Sequence, residues 1–92
     1  MTYPETFGIA AFRSRQQVMR FDSALKRAGL RSEVISTPRE VSMGCGLSVR
    51  FELNDAERVM NIYRRDRPEN LIGMYRVDQE RNGRLTVSPL LV

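Results

Sequence analysis

The apolar residues of this chain change their spacing several times, and the order of those changes leaves few folds open. A short run that is apolar on both faces, Phe7 to Phe12, predicts a central strand. The next stretch repeats its apolar residues at every third or fourth position, which is typical of one face of a helix. Extended and helical patterns then alternate again. The chain therefore predicts an α+β fold.

The first helix is expected over residues 14–28, where apolar residues recur at spacings of three and four. The stripe consists of Val18, Phe21, Leu25 and Ala28. Ser14 is a favourable N-cap residue, and Gly29 is typical of the position just past a helix C-terminus. The sequence thus specifies both ends of this helix.

Two strands and a second helix follow, with a long polar loop between the strands. Residues 30–36 predict an edge strand that ends before Pro38. Over residues 47–53 apolar and polar side chains alternate strictly, which predicts a half-buried strand. Asn54 is expected to cap the second helix, which Pro68 prevents from continuing. The apolar stripe of that helix is Ala56, Val59, Met60 and Tyr63.

The C-terminal part predicts a hairpin. A strand is expected over residues 71–77, and Asn82-Gly83 is a pair typical of tight turns between strands. The final strand, residues 85–92, should lie at a sheet edge because Pro89 has no backbone N–H to donate.

The order β-α-β-β-α-β with an added C-terminal hairpin strand fits a ferredoxin-like sandwich of the α+β class. We expect a single domain over residues 1–92. Its first and third strands should lie at the centre of the sheet, with two helices on one face. The polar loop between the second and third strands would then lie at one end of the sheet.

The composition excludes several kinds of active site. The chain has no histidine and one cysteine, so a zinc site of Cys and His ligands within one chain is not expected, nor is a Cys-His or Ser-His pair. No cofactor is indicated. The net charge is +4, and Lys26 is the one lysine among many arginines. This charge fits either a solvated surface or one that meets an acidic protein or RNA.

The sequence also predicts the cellular compartment of the protein. No apolar run approaches the ~20 residues that span a bilayer, and the N-terminus has no basic and apolar stretches of a secretory signal. One cysteine cannot form an internal disulfide. We therefore expect a cytoplasmic protein.

Cys45 lies between Gly44 and Gly46, near the end of the polar loop, and Arg39 and Arg50 bracket this segment. Nearby positive charge lowers a thiol pKa and makes the thiol more reactive, whereas a free cysteine is also among the most commonly buried residues. The residues alone leave a reactive loop thiol and an inert packing residue both open.

The run from Thr37 to Ser42, followed by Cys45 to Phe51, resembles the putative selenium/sulfur carrier protein-like family of bacterial domains of unknown function. That family has a Thr-Pro-Arg-Glu-hydrophobic-Ser segment, a few residues, then Cys-Gly and an alternating strand with Arg-Phe near its end. The resemblance covers about residues 5–77 and leaves the tail, residues 78–92, beyond it. Met43-Gly44 departs from the small polar residues expected there.

The resemblance implies that Cys45 accepts sulfur or selenium as a persulfide or selenopersulfide. The residue chemistry adds Arg39, Gly44, Gly46 and Arg50 as the residues expected to support the thiol. The resemblance also implies a carrier rather than a stand-alone enzyme, with a donor such as a cysteine desulfurase and an acceptor that the sequence does not name. The alternative is a binding or assembly module with an inert cysteine. Nucleic acid is the less expected partner, because the third strand carries Phe51 but not the run of aromatic residues on which bases stack. A homo-oligomer is left open.

Overall fold

The computed structural model describes residues 5–41 and 46–91 of the 92-residue chain. Its elements in chain order are β1 (Glu5–Phe12), α1 (Arg15–Arg27), β2 (Ser32–Ser36), β3 (Leu47–Phe51), a 3-10 turn (Leu53–Asp55), α2 (Ala56–Asp66), β4 (Leu71–Gln79) and β5 (Leu85–Leu91). The strands form one five-stranded sheet in the order β2-β3-β1-β4-β5, and every pairing in it is antiparallel. The predicted α+β class is confirmed.

The strand order matches the apolar content of the strands. β1 is the central strand, and it pairs with β3 on one side and β4 on the other. β2 and β5 are the two edges, as predicted, and Pro89 lies in the edge strand β5. An edge position suits a proline because one side of the strand needs no N–H donors.

Local sequence signals fix both ends of α1. The side chain of Ser14 accepts a hydrogen bond from the backbone N–H of Gln17 at 3.4 Å. At the other end Gly29 has a φ of +82°, and the N–H of Leu30 donates to the carbonyl of Leu25 at 3.0 Å. A left-handed residue here lets the last carbonyls find partners, and glycine adopts that conformation without strain. The predicted helix is confirmed to within one residue.

The passage from β3 into α2 differs from the prediction. The strand expected over residues 47–53 ends at Phe51, and Leu53 begins a single 3-10 turn. Asn54 lies inside that turn, and Asp55 occupies the N-cap of α2 without a side-chain hydrogen bond. The alternating pattern continued past the strand because Leu53 is an apolar residue of the turn. Ile62, which the predicted stripe omitted, is buried.

The β4–β5 hairpin is present, but its turn is longer than a two-residue one. The N–H of Gly83 donates to the carbonyl of Glu80, and the N–H of Glu80 donates to the carbonyl of Arg84, each at 2.9 Å. Gly83 has a φ of +84°, whereas Asn82 does not have a positive φ. This is a three-residue loop with a glycine bulge rather than the turn in which both central residues are left-handed.

Both helices pack on one face of the sheet, as predicted. Their buried residues form one core with Ala10, Phe12, Val49, Phe51 and Met74 from the strands. The ring of Phe21 lies 5.5 Å from that of Phe12 and 6.5 Å from that of Tyr63, centroid to centroid. The opposite face carries a smaller cluster of Phe7, Ile9 and Val77. Neither α1 nor α2, the helices of the described residues, is long and apolar enough to cross a bilayer.

Candidate functional site

The segment between β2 and β3, residues 37–46, is here called the cysteine loop. The structure describes its two ends, residues 37–41 and Gly46. The predictions for Cys45 and Gly44 concern positions outside the described residues, as does the family departure at Met43-Gly44. The described part of the site is the base of the loop and its surroundings.

Two hydrogen bonds join the ends of the cysteine loop. The N–H of Thr37 donates to the carbonyl of Gly46 at 2.9 Å, which adds one rung beyond the last strand pair, Ser36 with Leu47. The hydroxyls of Thr37 and Ser48 lie 2.7 Å apart, and either can donate. Both side chains are buried, that of Ser48 completely. The residue that follows Cys45 in the chain is thus held at a fixed place on the sheet.

The first residues of the loop make a local turn. The N–H of Val41 donates to the carbonyl of Pro38 at 3.0 Å. The Val41 side chain packs against the cluster on the helix-free face of the sheet, as that of Ile35 does. Arg39 and Glu40 are exposed. The loop therefore starts across the helix-free face and presents its charged residues to solvent.

Gly46 has little room for a side chain. A Cβ placed there would lie 3.3 Å from the Thr37 hydroxyl oxygen and 3.8 Å from the carbonyl oxygen of Phe12. The first distance is tighter than ordinary van der Waals contact, so a larger residue would press on the Thr37–Ser48 pair. At this glycine the lack of a side chain is what matters, and it keeps the loop base close to the end of β1.

The strand register places the cysteine loop at one end of the sheet together with two helix ends. Phe12, the last residue of β1, pairs with Leu47 at the end of the loop and with Leu71 at the start of β4. The N-terminus of α1 follows Phe12 by three residues, and the C-terminus of α2 precedes Leu71 by five. The loop base, the start of α1 and the end of α2 therefore lie at the same end of the molecule.

The two arginines predicted to support the thiol have different surroundings. Arg39 belongs to the loop itself and is exposed. Arg50 lies on β3, where its guanidinium sits 4.0 Å from the centroid of the Phe7 ring. It also lies 3.4 Å from a carboxylate oxygen of Glu5 and 3.9 Å from one of Glu33. Two carboxylates thus share the charge of Arg50, and its action on Cys45 stays a prediction.

The described part of the chain has no group of three or more metal-ligating side chains placed to hold an ion. In the sequence, the cysteine loop contains one thiol, Cys45, and one arginine, Arg39. Thr37 and Ser48 were not among the predicted site residues. Ser48 falls on the polar side of the alternating pattern, which predicts exposure, and only the contact between the two hydroxyls reveals that this side is covered too.

No curated protein and no solved structure matches this chain. A family model does match, and its description is "Putative Se/S carrier protein-like". The match runs from residue 7 to residue 70, so it includes the whole cysteine loop and ends just before β4. Since it covers well over half of the sequence, the chain belongs to the Se/S carrier protein-like family.

Proposed function

We propose that this protein carries sulfane sulfur or selenium on Cys45, as a persulfide or a selenopersulfide. The observation that carries the proposal is the family match, which runs through Cys45 and the whole loop around it. The described geometry supports it, because the loop leaves from a base that one backbone hydrogen bond and one buried hydroxyl pair hold in place. A carrier needs such a base to present one residue to different proteins in turn.

The transfer of sulfane sulfur needs no external oxidant, because one S–S bond forms as another breaks. The Cys45 thiolate attacks the outer sulfur of a donor persulfide, a new S–S bond forms, and the donor's own S–S bond breaks to release its thiolate. An acceptor nucleophile then attacks the outer sulfur on Cys45 and regenerates the Cys45 thiolate. Selenium transfer follows the same steps with selenium as the outer atom.

The single cysteine suits this chemistry. A second thiol in the chain could attack the inner sulfur of the persulfide, form an internal disulfide and release the cargo as sulfide. The sequence contains no second cysteine. Exposed Arg39, within the loop, supplies positive charge of the kind that lowers a thiol pKa.

We also propose that β1 to β4 and the two helices form a ferredoxin-like unit, with β5 added at its edge. The support is the chain order of the elements and the strand order β2-β3-β1-β4. On this proposal residues 1–92 fold as one domain. Both β4 and β5 lie beyond the family match; β4 pairs with the central strand β1, and β5 pairs with β4 at the edge of the sheet.

Loading of Cys45 tests the carrier proposal. Purified protein is incubated with a cysteine desulfurase and cysteine, and separately with a low-molecular-weight persulfide. Intact-mass spectrometry should show one added sulfur atom that reductant removes. The Cys45→Ser variant is the matched control and should gain none, because no other residue can accept sulfane sulfur.

The same variant separates a loop thiol from a packing residue. If Cys45 acts as a carrier on the loop, serine should change the free energy of unfolding by no more than about 0.5 kcal/mol. A loss of roughly 1–3 kcal/mol would instead indicate a buried thiol whose hydroxyl replacement is desolvated. That result, or the absence of loading from both donors and from a selenium donor, contradicts the proposal.

A further inference from the structure

The positive charge of this protein is concentrated on α1 and its flanks. Residues 13–31 contain six cationic residues and one carboxylate. The cations are Arg13, Arg15, Arg20, Lys26, Arg27 and Arg31. The carboxylate, Asp22, is buried, and it accepts hydrogen bonds from Lys26 at 2.9 Å and from the Ser32 hydroxyl at 2.7 Å. The exposed side of α1 therefore presents cations and no carboxylate.

A groove runs along this side of α1, beside the end of α2. It has a volume of about 480 Å³. The lining residues include Met19, Arg20, Ala24, Arg27, Asp66 and Pro68. Met19 is 45% exposed, and it is the one large apolar side chain of the described residues that is exposed. Ala24 is buried, and Pro68 is half-buried, so the groove has an apolar floor beside the exposed methionine.

The described residues that line the groove include two cations, Arg20 and Arg27, and one carboxylate, Asp66. Arg20 and Arg27 are exposed, and neither lies within salt-bridge distance of a carboxylate among them. Asp66 is the one carboxylate that lines the groove; Arg65 binds it at 2.9 Å, and the more distant charge of Arg27 also helps to lower its pKa. The groove thus has a cationic rim over an apolar floor.

We propose that this groove is a docking surface for an acidic protein segment that places an apolar side chain against Met19. Carboxylates of the partner would pair with Arg20 and Arg27, since arginine binds carboxylates through two parallel N–H donors. Methionine adapts its shape to different apolar partners, which suits a surface that meets more than one protein.

The surface favours a protein over RNA. Methionine and arginine are enriched at protein–protein interfaces, whereas recognition of single-stranded RNA depends on bases stacked against accessible aromatic rings. No aromatic side chain of the described residues is exposed. Phe51, which the sequence analysis considered for stacking, is buried beneath the helices.

The position of the groove connects it to the cysteine loop. The start of α1 and the end of α2 lie at the sheet end from which the loop leaves. A protein docked here would lie on the helix-covered face of the sheet, and the end of the groove at Asp66 and Pro68 lies near the sheet end from which the cysteine loop leaves. The docking surface does not depend on the proposed function, and only its link to sulfur or selenium transfer rests on that function.

Two short synthetic peptides test the docking surface without any sulfur chemistry. One carries several glutamates around a single leucine, and the other has serine in place of that leucine. Each is titrated into isotope-labelled protein while the backbone amide signals are followed by NMR. The leucine peptide should shift the signals of Met19, Arg20, Arg27 and Asp66 in a saturable way, and the serine peptide should bind more weakly.

Variants of the protein separate a specific surface from general charge attraction. Met19→Ala removes the apolar contact and should weaken binding of the leucine peptide about tenfold. The double variant Arg20→Glu and Arg27→Glu should abolish saturable binding. Arg81→Glu with Arg84→Glu makes the same change of net charge on the exposed β4–β5 hairpin and should leave the affinity nearly unchanged.

Four results with the peptides would overturn the proposal. They are no saturable binding of the leucine peptide, equal binding of the serine peptide, wild-type affinity in the α1 variants, and an equal loss in the hairpin variant. An unstructured oligouridine is titrated in parallel, and tighter binding at the same amides would show a nucleic-acid surface instead. Sulfur loading of Cys45 is measured separately, so failure of either proposal leaves the other intact.

Discussion

Replacing Thr37 by valine tests whether the buried hydroxyl pair fixes the base of the cysteine loop. Valine has nearly the shape of threonine, so the change removes the hydroxyl and little else. The Ser48 hydroxyl, which is completely buried, then loses its 2.7 Å partner. A buried polar group left without a partner costs about 1–3 kcal/mol, and we expect Thr37→Val to lower the free energy of unfolding by that amount.

Urea denaturation at equilibrium measures this loss, provided the slopes of the two transitions agree. For a domain of this size each kcal/mol also lowers the melting temperature by about 4–8 °C, so a thermal scan gives a second reading. Thr6→Val is the matched control. It removes an exposed threonine hydroxyl that donates to Asp78 at 2.8 Å, and it should change stability by less than about 0.5 kcal/mol.

A double variant completes the test. Removing both hydroxyls, with Thr37→Val and Ser48→Ala, leaves no unpaired group, so the loss should be smaller than the sum of the two single losses. The role of the hydroxyl pair is refuted if Thr37→Val lowers the free energy of unfolding no more than Thr6→Val does. It is also refuted if the losses at Thr37 and Ser48 simply add, since the two hydroxyls would then not depend on each other.

Two further predictions concern the sheet. Gly8→Ala should lower the free energy of unfolding by about 1–3 kcal/mol in denaturant titrations, because the new Cβ would overlap the ring of Phe51. A variant as stable as the wild type would show instead that the ring can move aside. The Thr6 hydroxyl and the Arg76 guanidinium hold the pKa of Asp78 below its usual value of 3.8. The ionised carboxylate therefore stabilises the fold at pH values above 3.8, and this contribution is lost as the pH falls through the lowered pKa. Asp78→Asn should therefore show a smaller loss of stability in acid than the wild type does, and identical acid titrations of the two proteins would contradict this.

Much of the fold was predictable because its signals are local. The N-cap at Ser14 and the left-handed glycine at Gly29 act over a few residues, so the limits of α1 follow from the sequence. The limits of β3 did not follow in the same way. The alternating pattern extends to Leu53, but the chain turns after Phe51, and the pattern does not distinguish an apolar residue of a strand from one of a turn.

The same difference between local and long-range signals applies to the candidate site. The sequence by itself determined that one thiol is available and that it follows a Thr-Pro-Arg-Glu segment, because these are statements about composition and order. Only the tertiary structure decided that Thr37 and Ser48 share a buried hydrogen bond and that Arg50 lies between Glu5 and Glu33. These residues come from different strands, and their contacts depend on the sheet register, which the pairing of the whole sheet sets and no single stretch of sequence encodes.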